Sequence, residues 1–151
     1  MIFRKLGELE ISIAVDFYRK LLLETQTLKE QDILPTDENL RKLEFLISKS
    51  YENGIPSFCC EKDGIVIAVN VCAYVPYFDL KYETVFSYGT FVEEKFRKNG
   101  IAKKLIEYSF EELRKAGIER IIGKFFEERE SSEKIIKELG IKKVNTVCKI
   151  L

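Results

Sequence analysis

Residues 90–105 read Thr90-Phe91-Val92-Glu93-Glu94-Lys95-Phe96-Arg97-Lys98-Asn99-Gly100-Ile101-Ala102-Lys103-Lys104-Leu105. An apolar strand ends here at a short charged loop, and the loop leads directly into an amphipathic helix. Gly100 and Ala102 are small, so a ligand can approach the backbone closely. At the start of a helix the backbone N–H groups lack intrahelical acceptors and the helix dipole is positive. The junction therefore predicts an anion site suited to a pyrophosphate.

Two familiar phosphate-binding motifs do not fit this junction. A P-loop requires G-x-x-x-x-G-K-[ST], and a dinucleotide-binding fingerprint requires three glycines at the start of a βαβ unit. Arg97 can add a fixed cation beside the anion, and Lys98, Lys103 and Lys104 add further positive charge. The alternative is a capped strand–helix turn with a solvated basic face, which would bind nothing.

Length and composition are typical of a soluble globular protein, and we expect one domain over residues 1–151. The formal net charge is zero, because 25 basic residues balance 25 acidic ones. A nucleic acid partner is therefore not expected, since such proteins usually carry a basic surplus. The first residues lack a long apolar run, so we expect no signal peptide, and no apolar run approaches the roughly 20 residues of a membrane span. We expect a cytoplasmic protein without membrane contact.

The cysteines and the absence of histidine restrict the chemistry. Cys59, Cys60, Cys72 and Cys148 show no C-x-x-C spacing, and the chain contains no histidine. We expect buried, reduced thiols and no metal site. Cys59 and Cys60 are adjacent, so they should point to opposite faces of a strand. Without histidine, Ser–His and Cys–His nucleophiles are excluded.

Hydrophobic periodicity and turn residues predict an α/β fold with the element order β-α-α-β-β-β-α-β-α-β. Thr36 is the expected cap of the second helix, residues 62–64 the turn of a hairpin, and Ser131 or Ser132 the cap of the last helix. The predicted strands span residues 2–6, 56–61, 65–74, 84–92, 120–126 and 142–150.

The element order and residues 91–102 together resemble the GNAT superfamily of N-acetyltransferases. The family signature is a strand ending in valine, a spacer with an aromatic residue, and then [RQ]-x-x-G-x-[GA]. The residues that fit it in register are Val92, Phe96, Arg97, Gly100, Ile101 and Ala102. Residues 132–141 resemble the closing helix and "eklGF" turn. The resemblance covers the whole chain in topology and residues 84–145 in detail. It implies a mixed central sheet, flanked by helices, that splays apart between its fourth and fifth strands.

The resemblance also implies acetyl-CoA as co-substrate, bound in the gap between those strands without a metal. Backbone N–H groups at the helix start would hold the pyrophosphate, and the Val92 backbone would pair with pantetheine. The Thr90 N–H would face the thioester oxygen, where negative charge develops during acyl transfer. The residues implied in cofactor binding are Val92, Arg97, Lys98, Asn99, Gly100, Ile101, Ala102 and Lys103.

The acid and base usual in this family are missing. Phe86 stands where histone-type members carry a glutamate, Ile136 where many members carry a tyrosine, and Arg129 where an asparagine is usual. An ammonium with a pKa of roughly 10.4 must lose a proton before it can attack a thioester. Glu83 is our first candidate base, acting directly or through water, and Glu127 is the second. The alternative for both is a plain surface carboxylate.

Tyr88 is the candidate acid that protonates the leaving thiolate, because strand alternation should place it on the same face as Phe86 and Thr90. Its alternative is a residue of the core or pocket wall. An aromatic cluster on the acceptor side is predicted either to bind the substrate or to cover a sheet edge. Its members are Tyr74, Tyr77, Phe78, Tyr82 and Phe86.

We therefore expect transfer of an acetyl group from acetyl-CoA to an amine, by direct attack in a ternary complex. The alternative is a domain that binds acyl-CoA as a sensor or interaction module without efficient catalysis. The partner is a small-molecule or peptide amine. The sequence does not distinguish a polyamine, an aminoglycoside, an amino acid, a protein N-terminus or a protein lysine, and it leaves a homodimer open.

Overall fold

The structure, a computed structural model, describes residues 1–27, 33–76, 80–123 and 130–142, with only the backbone of Ser131. Five strands form one mixed sheet with helices on its faces, which confirms the α/β fold. The elements are β1 (Ile2–Lys5), α1 (Ile11–Thr25), α2 (Asp37–Glu52), β2 (Phe58–Lys62), β3 (Ile65–Tyr74), β4 (Thr84–Val92), α3 (Ile101–Lys115), β5 (Arg120–Gly123) and α4 (Glu130–Glu138). Short 3-10 turns precede α1 and α3. The predicted last strand lies outside the described residues, apart from residue 142.

Local sequence signals account for most element boundaries. The Thr36 hydroxyl accepts a hydrogen bond from the Asn39 N–H at 3.2 Å and caps α2. Asp63 (φ 52°) and Gly64 (φ 77°) are both left-handed, as a two-residue hairpin turn requires. The predicted serine cap of α4 is wrong, because α4 already includes Glu130 and both serines lie inside the helix.

The sheet separates two hydrophobic clusters. The first joins α1 and α2 to one face of the sheet, and the second joins α3 to the other face. Cys59 belongs to the first cluster and Cys60 to the second, which confirms that they point to opposite faces. Cys59, Cys60 and Cys72 are buried free thiols, and burial raises the pKa of Cys72 to about 12. Cys148 lies outside the described residues.

The strand order is β1-β2-β3-β4-β5, antiparallel except for the parallel pair β4–β5. The described β4–β5 pairing runs only from Thr84 to Ser87, and β4 continues for another five residues. A bulge interrupts β4 at Tyr88, since Val71 of β3 faces Gly89 while Cys72 faces Ser87. Among the described residues, no helix is long and apolar enough to cross a membrane.

Candidate functional site

The loop between β4 and α3 presents a row of free backbone donors. The first hydrogen bond of α3 runs from the Lys104 N–H to the Gly100 carbonyl at 3.1 Å. Within the described part of the chain, the six N–H groups of residues 98–103 have no hydrogen-bond partner. Lys98 (φ 63°) and Gly100 (φ 70°) are left-handed, which turns the chain sharply before the helix. A Cβ added at Gly100 would meet no atom within 4 Å, so the space beside these donors is free.

The end of β4 presents a second row of backbone groups. The Glu93 N–H donates to the Ile67 carbonyl of β3 at 2.9 Å. Because backbone N–H groups along a strand point alternately to its two sides, those of Thr90 and Val92 point away from β3. They face the side on which β5 lies, beyond the described β4–β5 pairing. Residues 93–97 connect the two rows, and the N–H groups of Glu93, Phe96 and Arg97 in that segment are hydrogen-bonded within the protein.

Two cations of the loop, Arg97 and Lys103, form ion pairs with carboxylates of the protein. Arg97 forms an ion pair with Glu24 of α1, its Nε donates to the Val92 carbonyl at 2.8 Å, and its guanidinium carbon lies 5.0 Å from the centre of the Phe91 ring. Lys103 Nζ lies 3.1 Å from a carboxylate oxygen of Glu138 in α4. Arg97 therefore folds back onto β4 and α1 and does not project freely beside the loop.

Asn99 stabilises the loop from within. Its Nδ2 donates to the carbonyl oxygens of Phe96 at 3.2 Å and of Arg97 at 3.1 Å. These side-chain bonds occupy carbonyl acceptors of the turn and not its N–H donors, and Lys98 and Asn99 are exposed residues. The sequence motif thus corresponds to an ordered cluster of donors at a helix N-terminus, the arrangement that anions bind.

Tyr88 lies at the bulge, on the sheet face that α1 covers. Its ring centre is 4.8 Å from that of Phe86 and 5.8 Å from that of Tyr18 in α1. Its hydroxyl has no hydrogen-bond partner within the described ranges, and burial raises the pKa of the phenol. The prediction that Phe86 and Tyr88 share a face is confirmed.

The prediction that Thr90 shares this face is wrong. Thr90 stands opposite Asn70 in the β3–β4 register, and the Asn70 side chain bonds to Ser109 of α3. Side chains of residues directly opposite one another lie on the same face of a sheet. The extra residue in β4 therefore turns the Thr90 side chain toward α3, while Tyr88 faces α1. The role considered for Thr90 involves only its backbone N–H.

Glu83 lies at the opposite end of β4 from Thr90. They lie seven positions apart in sequence, which in a bulged strand corresponds to about 20 Å. The Glu83 carboxylate is exposed and accepts a hydrogen bond from the Tyr74 hydroxyl. Glu83 is therefore too far from Thr90 to take a proton directly from an amine there. Of the two predicted routes, only transfer through water is compatible with this distance.

The predicted aromatic cluster is only partly brought together. Tyr74 and the exposed Tyr82 lie near Glu83, whereas Phe86 contacts Tyr88. The face of the Tyr82 ring is already in contact with two cations, Lys81 and Arg120. Three predicted site residues lie outside the described residues, namely Tyr77, Phe78 and Glu127.

Two residues near the site were missed by sequence analysis. Glu24 binds Arg97 across 73 positions of sequence, and no local signal indicates that contact. Asn70 is a buried carboxamide in β3 that bonds to Ser87 of β4. Here a signal existed, because Asn70 is the one strongly polar residue in the apolar run Ile65–Tyr74. In the parts of the chain that the structure describes, no cluster of three metal-ligating residues occurs.

Comparison with known proteins gives a consistent result. The model of the acetyltransferase (GNAT) family matches residues 14–141. A predicted acetyltransferase from Clostridium acetobutylicum, crystallised with acetyl-CoA, superposes with a TM-score of 0.78 at 16% identity, covering 99% of this chain and 95% of the other. A ribosomal-protein-alanine N-acetyltransferase from Brucella melitensis gives 0.69 at 18% identity, covering 93% and 83%. An aminoglycoside N-acetyltransferase in complex with CoA gives 0.63 at 19% identity, covering 99% and 98%. No curated protein sequence matches the chain.

Proposed function

Because this chain belongs to the acetyltransferase (GNAT) family, we propose that it transfers an acetyl group from acetyl-CoA to an amine in a ternary complex. The observation that carries this proposal is the row of unpartnered N–H groups at residues 98–103, next to the outward-facing backbone of Thr90 and Val92. Relatives with the same fold were crystallised with acetyl-CoA or CoA. No metal is part of the proposal.

The free donors suit the cofactor in two stretches. The N–H groups of residues 98–103 would bind the pyrophosphate, with the positive end of the α3 dipole behind them. The outward backbone of Val92 would pair with the pantetheine amides, as an added strand pairs with a sheet edge. The free space at Gly100 leaves room for the phosphates. Asn99 orders the turn and Ile101, which is buried, anchors the helix start.

We propose direct acyl transfer from sulfur to nitrogen. The amine nitrogen attacks the thioester carbonyl carbon, and the Thr90 N–H donates to the oxygen on which negative charge develops. The carbon–sulfur bond then breaks, the acetyl group stays on nitrogen, and the CoA thiolate takes a proton from the Tyr88 hydroxyl. The amine proton leaves to water, with Glu83 as a distant acceptor, and the Tyr88 phenolate regains a proton from water. Tyr88 is suited to the acid role because its hydroxyl has no partner among the described residues.

The acceptor site we propose lies on the α1 face of β4, beside Tyr88 and Phe86. Both rings are half-buried, so an apolar or flat part of an acceptor could pack against them. Ribosomal-protein alanine and aminoglycosides, named for two relatives, are acceptor classes to include in a screen. Both are amines, small or peptidic, as proposed here.

A second candidate function is acyl-CoA binding without efficient catalysis. One observation favours it: the carboxylates flanking the end of β4, Glu93 and Glu24, form ion pairs with Lys20 and Arg97. Both carboxylates near the end of β4 are therefore already engaged in ion pairs with cations of the protein itself. Turnover distinguishes the two functions.

The test is calorimetric titration with acetyl-CoA, desulfo-CoA and ATP, followed by thiol release with a panel of amines. We expect micromolar binding of both CoA compounds, little binding of ATP, and CoA release with at least one amine. Binding without release across the panel supports the sensor function. If neither CoA compound binds, the loop is only a helix cap and both functions are rejected.

A further inference from the structure

Asn70 connects three elements through buried hydrogen bonds. It is 2% exposed, in the middle of β3. Its Nδ2 donates to the Ser109 hydroxyl of α3 at 3.1 Å, and its Oδ1 accepts from the Ser87 hydroxyl of β4 at 2.9 Å. Ser109 in turn donates to the Leu105 carbonyl at 2.7 Å, so its oxygen is left to accept from Asn70. Each side-chain group of Asn70 therefore has a defined partner.

The register gives this network a specific position. The Asn70 backbone stands opposite Thr90, while its side chain bonds to Ser87. Ser87 and Thr90 flank the bulge at Tyr88, so the Asn70 side chain bonds to β4 on one side of the extra residue while its backbone stands opposite β4 on the other. Ser87 is also the last β4 residue in the described pairing with β5. The network thus contacts β4 at the residue where the described pairing between β4 and β5 ends.

Burial of the Asn70 amide at this position carries a free-energy cost of desolvation. An aliphatic residue would pack there without the desolvation of polar groups, and buried polar networks contribute more to a unique arrangement than to stability. Here the network would determine the direction of the Thr90 backbone relative to α3. That helix begins at the pyrophosphate loop, and Ser109 lies about two turns along it.

We propose that Asn70 is a positioning residue for acetyl transfer. By bonding to Ser87 and Ser109 it fixes the β4 bulge against α3, and this sets the Thr90 N–H at the correct distance from the pyrophosphate loop. The inference rests on the proposed function, in which Thr90 donates to the thioester oxygen. Misplacement of such a donor lowers the rate of the chemical step more than it weakens cofactor binding.

The test compares a variant that loses folding stability with a second variant in which much of that stability should be restored. Asn70→Leu removes the network but leaves the Ser87 hydroxyl without its acceptor. The triple variant Asn70→Leu, Ser87→Ala, Ser109→Ala removes every polar group of the network, which should restore much of the lost stability. Ser57→Ala deletes a different buried hydroxyl, bonded to Cys72, and serves as the control for lost stability alone. Stability is measured by urea unfolding.

We expect kcat to fall about 10- to 100-fold in both the single and the triple Asn70 variants, while the Kd for acetyl-CoA changes less than about threefold. Ser57→Ala should keep its kcat. If stability and kcat return together in the triple variant, the network is only structural and the proposal is overturned. An unchanged kcat in Asn70→Leu would overturn it as well.

An infrared measurement separates this inference from the proposed function. Bound acetyl-CoA labelled with ¹³C at the thioester carbonyl should show a lowered C=O stretching frequency in the wild type, because the Thr90 N–H donates to that oxygen. The shift should shrink in both Asn70 variants and persist in Ser57→Ala. An equal shift in wild type and variants overturns the inference alone. If the wild type does not bind acetyl-CoA, the proposed function and this inference both fail.

Discussion

The side chain of Arg97 closes onto the backbone of Val92: its Nε donates to the Val92 carbonyl oxygen at 2.8 Å. Glu24 holds the other side of the same guanidinium. The cation next to the free N–H groups of residues 98–103 is therefore shared with a carboxylate of α1. The electrostatic contribution of Arg97 to cofactor binding depends on how firmly Glu24 retains it.

Glu24→Gln is expected to strengthen binding of acetyl-CoA about two- to fivefold. The substitution removes the carboxylate that neutralises Arg97, and a half-exposed ion pair of this kind contributes up to about 1 kcal/mol. Glu38→Gln is the matched control, since it makes the same charge change in α2 and breaks an ion pair with Lys42. Calorimetry at low salt gives both Kd values. Weaker binding in Glu24→Gln would show instead that Glu24 holds Arg97 in its binding position.

Gly100→Arg is expected to abolish acetyl-CoA binding, because the side chain would fill the space beside the free N–H groups. Gly117→Arg, after the other end of α3, is the control: both glycines are left-handed and a Cβ at either meets no atom within 4 Å. Each substitution should cost about 1 to 2 kcal/mol of folding free energy. Thermal unfolding and calorimetry separate the two effects. Retained affinity in Gly100→Arg would place the pyrophosphate elsewhere.

Tyr88→Phe is expected to lower kcat about 100-fold and to leave the Kd for acetyl-CoA unchanged. The ring contacts with Phe86 and Tyr18 persist in phenylalanine, so the free energy of unfolding should change little. Tyr108→Phe is the control, since Tyr108 is half-buried and its ring packs edge-to-face with that of Phe58. Steady-state kinetics with an amine found in the screen provide the measurement. Full activity in Tyr88→Phe would assign the proton of the leaving thiol to water.

Glu83→Gln is expected to lower kcat/KM at neutral pH by less than about threefold. A base in contact with the amine contributes about 10²- to 10⁴-fold, but Glu83 lies about 20 Å along β4 from Thr90. Glu119→Gln removes a neighbouring carboxylate that accepts from the Glu83 N–H, and it serves as the control. The measurement is the pH dependence of kcat/KM for the wild type and both variants. A loss of 100-fold or more at neutral pH that recovers at high pH would identify Glu83 as the base and move the acceptor to that end of the strand.

Glu10→Gln is expected to destabilise the protein at neutral pH but not in acid. Hydrogen bonds from Arg4, and then from the Gly7 N–H, lower the pKa of Glu10 to about 2. A carboxylate with a lowered pKa stabilises the fold above its unfolded-state pKa, near 4.5, and loses this contribution as the pH falls toward 2. Urea unfolding of wild type and variant should therefore converge across that window. The exposed Glu8 supplies the control Glu8→Gln, and a constant difference would contradict the prediction.

Features set by neighbouring residues could be predicted from the sequence. The bounds of β4 are those expected, and the Thr36 cap and the hairpin turn at Asp63-Gly64 depend only on residues a few positions apart. The backbone donors of residues 98–103 follow in the same way from a strand, a loop and a helix start.

Features set by distant partners could not be predicted. The bulge at Tyr88 exists only in the register with Val71 and Cys72, and alternation therefore misplaced Thr90. The closing of Arg97 onto Glu24 depends on how α1 packs against β4. The chemistry of a carboxylate predicts Glu83 as a base, but its distance from Thr90 follows only from the length of β4.

Cys59 and Cys60 are adjacent in sequence but lie under the helices on opposite faces of the sheet. One thiol is sealed by α1 and α2 and its neighbour in sequence by α3, and both have raised pKa values because they are buried. Modification of either requires the helix layer above it to detach from the sheet. The rates of thiol labelling at two adjacent residues therefore measure two separate opening equilibria. A ligand held by the α3 side would slow labelling at Cys60, and one held by the α1 side would slow labelling at Cys59.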